Sequence, residues 1–366
     1  MPSYTSNFKA KYKILLFFLT VLVFFLLSNF AIYHHFFGHT TKDYYINNMP
    51  SKEKHMALNL KNSPQKDAIL IGNSRTLFQI STINMHEHGL NVYNLGISGH
   101  ESSDFPSMIN HALRYKPKAI VLFLAVSSFH AGLDQMRDVD WDDIQAYIKS
   151  DQSAAYITKS LLAYFKTWFL INNYSTNINI RIRTAYKSFD SYSFLDMKHI
   201  KKAFRNQLFN QDKHFVFNKE LVKCKIFRMA YPKKLRAIGM CTNGDGILAG
   251  SASTEDPYRN EPMSKLIQIY KLDEPLNQSK LKLIDYLIDK IKKHGVKPII
   301  VFTPIFENPY PLSYRQQTKA KIPAPVIDLT NYRFPHSYWA DRNHLNFKGR
   351  HVYTNVLVKC LKQILD

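Results

Sequence analysis

Four short apolar runs stand out along the chain, each bounded by polar or turn-forming residues. They are Ala68–Ile71, Leu90–Asn94, Ala119–Ala125 and Lys297–Phe302. Apolar runs of this length are typical of strands that are covered on both faces, as in a parallel sheet. The pattern therefore predicts four strands of one parallel sheet.

Helical patterns, with apolar residues three or four positions apart, alternate with these strands. They cover Asp104–Tyr115, Ser279–His294 and Phe347–Leu365. Alternation of strand and helix implies right-handed crossovers that place helices on both faces of the sheet. The predicted fold class is thus α/β, a three-layer sandwich with a mainly parallel sheet.

The N-terminal segment has a different pattern, because residues 14–32 read ILLFFLTVLVFFLLSNFAI. About 20 apolar residues are needed to cross a bilayer as a helix. Lys9, Lys11 and Lys13 precede the run, and basic flanks favour the cytoplasmic side. We therefore predict a transmembrane anchor over residues 14–33, with residues 1–13 in the cytoplasm and the body outside. A cleaved signal peptide is the alternative, but its apolar core is shorter, about 7 to 15 residues.

The remaining chain divides by composition. Residues 34–64 are polar and rich in lysine, which indicates a juxtamembrane linker. Residues 65–366 form the predicted domain. Residues 138–275 interrupt the strand and helix alternation with segments such as YITKSLLAYFKTWFLI, rich in Tyr, Phe and Lys. We interpret this part as a mainly helical insertion whose aromatic residues pack rather than stack on sugars.

The formal net charge is +21, from 49 basic and 28 acidic residues in 366. For a body outside the membrane, anionic lipid head groups or acidic envelope polymers are the expected partners. A solvated basic surface without a specific partner is the alternative. Nucleic acid is disfavoured, since no helix-turn-helix, zinc-finger or RNA-binding signature accompanies the charge.

The three cysteines lie far apart and without zinc-binding spacing, so a metal site built from cysteines is not expected. No other metal site and no cofactor are predicted. In an oxidising compartment Cys224 and Cys241 would close a short loop with a disulfide worth about 3 kcal/mol. The pair is equally well interpreted as two buried thiols. Cys360 lies in an apolar helical pattern and is expected to be buried.

The first strand ends in Gly72-Asn73-Ser74. Ligands of parallel sheets bind at the carboxyl ends of strands, and glycine permits both a tight turn and close approach of a substrate. Ser74 is therefore a candidate nucleophile. The same three residues also make an ordinary turn and helix cap, which is the alternative.

A second polar block, DRNHLN, precedes the last helix and contains Asp341 and His344. A serine hydroxyl needs a base to remove its proton, and that base needs a carboxylate to orient it. One short loop supplies both groups. Taken alone, the block is better explained by a capping aspartate and a surface histidine.

Together, in this order, these blocks resemble the SGNH, or GDSL-like, hydrolase superfamily from Ala68 to about Asn355. The resemblance implies a flavodoxin-like sandwich with Ser74 as nucleophile, His344 as base and Asp341 as its orienter. The segment NLGISG looks like the family's glycine block, which would place the N–H groups of Gly99 and Ser74 in an oxyanion hole.

Two positions depart from the family pattern. Asn73 stands where aspartate is usual, and Val126-Ser127-Ser128 replaces the expected Gly-x-Asn-Asp. Ser127 falls at the position of the oxyanion-binding asparagine, and loss of one such donor can cost about 3 kcal/mol of transition-state stabilisation. We expect Ser127 to serve as the third oxyanion donor, and Asn73 and His100 to contact substrate.

The resemblance implies ester chemistry through an acyl-enzyme. Membrane-anchored members of the superfamily look like this chain, and the predicted function is an O-acyltransferase or O-acetylesterase acting on a cell-envelope polysaccharide or other acylated glycan. Its predicted location is the inner, or cytoplasmic, membrane, as a single-pass protein facing the periplasm or exterior, with a multi-spanning membrane acyltransferase as a partner. A non-catalytic SGNH-like glycan-binding or assembly module is the alternative.

Overall fold

The computed structural model describes residues 13, 15–24, 27, 49–61, 63–130, 139–168, 224–230, 236–241, 243–248, 275–306, 310–340 and 343–365. Residues 1–44 and 45–366 form two separate compact units. In the first unit residues 15–24 are helical. No helix in the described parts of the chain is long and apolar enough to cross a membrane. Nearly half of the predicted anchor lies outside those parts, so the anchor stays a prediction.

Eight strands and nine helices of the second unit are described. The strands are β1 (Ala68–Ile71), β2 (Val92–Asn94), β3 (Ala119–Leu124), β4 (Cys224–Ala230), β5 (Arg236–Cys241), β6 (Gly246–Leu248), β7 (Lys297–Phe302) and β8 (Val326–Asp328). The helices are α1 (Met49–Leu60), α2 (Ser74–Gln79), α3 (Thr82–Glu87), α4 (Phe105–Leu113), α5 (Trp141–Lys149), α6 (Ala154–Trp168), α7 (Gln278–Lys293), α8 (Leu312–Ala320) and α9 (Phe347–Leu365).

Five strands form one sheet in the order β2-β1-β3-β7-β8, and every neighbouring pair is parallel. Counted within this sheet, the order is 2-1-3-4-5, that of flavodoxin-like doubly wound sheets. The prediction of an α/β fold with a mainly parallel sheet is confirmed. β8 was not predicted, because its sequence, Val-Ile-Asp, ends in a charged residue and gives no continuous apolar run.

The core lies on both faces of this sheet. In β1, Ile69 and Ile71 belong to a cluster that includes residues of α1, α4 and α7. Ala68 and Leu70 belong to a second cluster with residues of α3 and α9. Alternate residues of a strand point to opposite faces, so a strand buried on both faces is apolar throughout. This accounts for the apolar runs in the sequence.

The predicted linker requires a correction. Within residues 34–64, α1 packs on the core, with Met56 fully buried and Leu60 6% exposed. The domain therefore begins no later than residue 49. Its few apolar positions lie among lysines and polar residues, so the sequence pattern resembled a solvated segment.

The predicted insertion, of which residues 139–168, 224–230, 236–241 and 243–248 are described, contains a sheet that the sequence analysis did not predict. It contains α5 and α6, but β4, β5 and β6 form an antiparallel sheet in that order. Lys225 and Arg228 interrupt the apolar positions of β4, and β6 is only three residues long, which concealed this sheet in the sequence. Cys224 and Cys241 occupy directly opposite positions of β4 and β5; their side chains lie outside the described structure.

The insertion reaches the main sheet through residues 243–246, called here the docking turn. The backbone N–H of Asn94 in β2 donates to the carbonyl oxygen of Asn243 at 2.8 Å. Gly244 has a φ of +85°, and a Cβ there would lie 2.4 Å from the Asn94 carbonyl oxygen. The turn therefore requires glycine, and it covers the outer edge of β2, which would otherwise present unpaired backbone groups.

Buried charges hold the docking turn. The carboxylate of Asp245 pairs with the guanidinium of Arg350 in α9, and both side chains are fully buried. The Thr82 hydroxyl also donates to Asp245. From α1, the ammonium of Lys52 donates to the carbonyl oxygens of Asn94, at 2.9 Å, and Gly244. Burial lowers the pKa of Lys52 to about 7, although the nearby charge of Asp245 opposes the shift.

Candidate active site

Ser74 is the first residue of α2, immediately after the turn that ends β1. A Cβ at Gly72 would lie 2.0 Å from the Thr76 hydroxyl oxygen, so this close approach requires glycine. Asn73 caps α2, its side-chain oxygen accepting from the Arg75 N–H at 3.0 Å. Its observed role is therefore a helix cap, and its predicted contact with substrate stays a prediction.

His344 lies beside Ser74, although 270 positions separate them in the chain. Its Nε2 atom is 2.8 Å from the Ser74 hydroxyl oxygen. The rings of Phe78 and His344 pack edge to face, with their centroids 5.9 Å apart and an interplanar angle of 84°. Both Ser74 and His344 are partly exposed. A hydroxyl and an imidazole at this distance can exchange a proton, the requirement for a serine nucleophile.

A short hairpin presents His344 ahead of α9. The Ala340 N–H donates to the His344 carbonyl oxygen at 2.8 Å, and the Asn346 N–H donates to the Tyr338 carbonyl oxygen at 2.9 Å. The Asn346 side chain accepts from the Lys348 N–H at 3.0 Å, which caps the helix. These bonds place His344 directly ahead of the first turn of α9.

The helix that carries Ser74 also holds this hairpin. The Gln79 side-chain amide donates to the Asn343 carbonyl oxygen at 2.8 Å, and Gln79 is fully buried. The Arg75 guanidinium donates to the Asn343 side chain and to the Thr303 hydroxyl, both at 3.4 Å. Sequence reasoning missed Arg75 and Gln79, whose only signal was their position on the first turns after Ser74. Asp341, the predicted orienter, lies outside the described residues.

The predicted glycine block runs beside the Ser74 turn. The Leu95 N–H donates to the Leu70 carbonyl oxygen at 2.8 Å, and the Ile97 N–H to that of Gly72 at 3.0 Å. These bonds continue the pairing of β2 with β1 and lead to Gly99, whose φ is +81°. The glycine block, which contains Gly99, therefore runs alongside the segment that leads to Ser74.

Asn94, at the end of β2, joins the glycine block to the Ser74 helix. Its side-chain amide donates to the Thr76 carbonyl oxygen at 2.7 Å and accepts from the Gly96 N–H at 2.8 Å. Sequence reasoning did not single out this residue. The asparagine immediately before Leu-Gly was the available signal, since asparagine side chains commonly bond to the backbone two residues on.

Ser127 lies in a 3-10 turn, Val126–Phe129, directly after β3. It is partly exposed, and the Tyr310 hydroxyl donates to its oxygen at 3.1 Å. His100, predicted to contact substrate, is only 3% exposed and thus lies in the interior of the free protein. Among the described residues no group of three or more His, Cys, Asp or Glu side chains is arranged to bind a metal ion.

Among known proteins, this chain is matched by solved structures and not by sequence. No family model and no curated protein matches the chain. Among the solved structures that match is a presumed acylhydrolase from Bacteroides fragilis, which is 11% identical. The match covers 86% of this chain and 97% of that chain, with a TM-score of 0.35. A likeness at this TM-score and identity supports no inference about chemistry.

Proposed function

We propose that the protein is a serine esterase or acyltransferase in which Ser74 is the nucleophile and His344 is the base. The observation that carries the proposal is the 2.8 Å distance between the Ser74 hydroxyl oxygen and the His344 Nε2 atom. The position of Ser74 at the carboxyl edge of a parallel sheet, where ligands of such folds bind, supports it further.

In the proposed reaction the Ser74 oxygen attacks the carbonyl carbon of an ester while His344 takes the hydroxyl proton. The tetrahedral intermediate collapses, the ester C–O bond breaks, and His344 returns the proton to the leaving alcohol. Water or an acceptor hydroxyl then gives its proton to His344 and attacks the acyl-enzyme, and Ser74 recovers the proton as it leaves. Asp341, three residues before the base, is proposed to orient it.

The negative charge of the intermediate requires hydrogen-bond donors. We assign this role to the N–H groups of Ser74 and Gly99 and to the Ser127 hydroxyl. The bond between Ile97 and Gly72 supports the first pair, because it ties the glycine block to the segment that leads to Ser74. Ser127 follows β3, the neighbour of β1 on its other side.

The proposed substrate is an acylated cell-envelope polysaccharide, and the proposed location is the outer side of the cytoplasmic membrane. The apolar segment 14–32 and its basic flank support the location. The net charge of +21 supports an anionic membrane surface or acidic polymer as a neighbour. A multi-spanning membrane acyltransferase is the proposed source or receiver of the acyl group.

The proposal is tested by treating the purified full-length chain with a fluorophosphonate and measuring its intact mass. We expect one covalent adduct in the natural protein, none on Ser74→Ala, and slow labelling of His344→Gln. Ser63→Ala, which changes a serine three residues beyond α1, is the matched control and should label normally.

A folded natural chain that forms no adduct would exclude the reaction and favour the glycan-binding alternative. Circular dichroism establishes that each variant is folded. An adduct that persists on Ser74→Ala would place the nucleophile elsewhere and contradict the assignment.

A further inference from the structure

Ser127 is held by a rigid local framework. Its 3-10 turn is closed by the bond from the Ser128 N–H to the Ala125 carbonyl oxygen at 3.0 Å. The Ser127 carbonyl oxygen accepts from the His130 N–H at 3.1 Å. The backbone at Ser127 is therefore fixed, and the remaining freedom of this residue is the rotation of its side chain and of its hydroxyl hydrogen.

Tyr310 reaches this hydroxyl from a distant part of the chain. It precedes α8, which packs on the 3-10 turn, and it is 4% exposed. Tyr314, in α8, contacts His130, and their ring centroids are 4.9 Å apart. The Tyr310 ring belongs to the apolar core, and the packing of that ring places the Tyr310 hydroxyl beside Ser127.

The direction of this hydrogen bond has a chemical consequence. A serine hydroxyl has one hydrogen and two acceptor lone pairs, and a phenol is more acidic than an aliphatic alcohol. When Tyr310 donates to Ser127, the Ser127 hydrogen must point to another acceptor. Hydroxyls linked in series also polarise one another, which strengthens the terminal donor.

We propose that Tyr310 is a positioning residue that turns the Ser127 hydroxyl hydrogen towards the oxyanion and so compensates for the absence of the oxyanion-binding asparagine. This inference rests on the proposed function. No proton is transferred along the pair: Tyr310 donates to Ser127, and Ser127 donates to the charged oxygen. The Ser127 hydrogen bond stabilises that oxygen only when it becomes negative, in the transition state. Loss of Tyr310 should therefore change kcat rather than KM.

The experiment is a double-mutant cycle on the full-length chain, with kcat and KM measured for hydrolysis of an activated acetyl ester. Ser127→Ala should lower kcat about 100-fold, as loss of an oxyanion donor does. Tyr310→Phe should lower kcat by about tenfold, the effect of one neutral hydrogen bond, and leave KM within about twofold. In the Ser127→Ala background, Tyr310→Phe should change kcat by less than about twofold, because its target is gone.

Two further variants separate positioning from structural support. Tyr314→Phe removes a hydroxyl from the same region and should leave kcat unchanged. Ser127→Asn supplies an amide donor whose direction does not depend on Tyr310, so Tyr310→Phe should have little effect in that background. A structural role alone would lower the unfolding midpoint of Tyr310→Phe and change kcat equally in every background, which would overturn the inference.

The two proposals fail in distinguishable ways. If the natural chain neither turns over ester nor forms a Ser74 adduct, the proposed function fails and the Tyr310 inference falls with it. If the chain is active and labels at Ser74, but Tyr310→Phe retains full kcat, only the inference about Tyr310 is overturned.

Discussion

The carboxyl edge of the sheet and its outer side edge are built with contrasting chemistry. At the carboxyl edge, Ser74 and His344 are partly exposed, and the hairpin of His344 is held by hydrogen bonds to backbone and amide groups. At the side edge, the docking turn is held by the fully buried side chains of Lys52, Asp245 and Arg350.

The difference follows from what each region must do. A site that admits substrate and water keeps its polar groups partly hydrated, so folding carries no large desolvation cost there. The side chains that hold the docking turn are fully buried, so their charges depend on one another and on the hydrogen bonds around them. Breaking a buried ion pair is costly because the remaining charge has no replacement partner. We therefore expect substitutions at the site to change activity, and substitutions at the docking turn to change stability.

The largest expected effect is that of His344→Gln on activity. Without the base, kcat/KM for an activated ester should fall by about 10³-fold or more, while the unfolding midpoint in urea changes little. Ester kinetics and urea unfolding of the same preparation measure both quantities. Loss of stability in parallel with loss of activity would remove the contrast between the two regions.

The next effect is that of Asp245→Ala on stability. Arg350 would keep its buried charge without the carboxylate that balances it, and the free energy of unfolding should fall by about 3 to 5 kcal/mol. Denaturant unfolding measures the change. Replacing both partners, as Asp245→Leu with Arg350→Met, should recover much of the loss. A double variant as unstable as Asp245→Ala would show that the turn needs the pair itself.

The pH dependence of stability tests Lys52. Burial lowers its pKa to about 7 in the folded protein, against an ordinary lysine value of 10.5. Between these values the unfolded chain binds a proton that the folded chain has released, so this residue makes stability rise with pH from about 7 towards 10. The neutral amine keeps two N–H donors for the carbonyl oxygens of Asn94 and Gly244.

Lys52→Met removes this dependence. Urea unfolding at several pH values should show the natural chain gaining stability relative to Lys52→Met as the pH rises above 7. Lys61→Met, which changes an exposed lysine just beyond the same helix, is the control and should run parallel to the natural chain. A constant difference for Lys52→Met would mean that Lys52 stays charged in the folded state.

The smallest expected effect is that of Gln79→Ala. It removes one hydrogen bond to the hairpin of His344, worth about 1 kcal/mol. We expect kcat to fall severalfold with little change in KM, because the base loses its fixed position. Gln65→Ala, which removes a similar bond from an exposed glutamine to the Lys116 carbonyl oxygen, is the matched control. Equal kinetics for the two variants would contradict a positioning role for Gln79.

Local sequence patterns determined much of this protein. The apolar runs located β1, β3 and β7 to within a residue, because a strand buried on both faces must be apolar along its whole length. The polar blocks at Ser74 and His344 named two side chains that the structure brings within hydrogen-bonding distance. Both signals lie within a few consecutive residues, where sequence reasoning has most force.

Tertiary structure alone decided the remaining features. The contact of Tyr310 with Ser127 and the pairing of Asp245 with Arg350 join residues more than 100 positions apart, and no local pattern marks either pair. Helix α1 and the three-stranded sheet contain too few regularly spaced apolar residues to identify them. Their positions depend on surfaces that other segments of the chain form. Those surfaces exist only when the whole chain has folded.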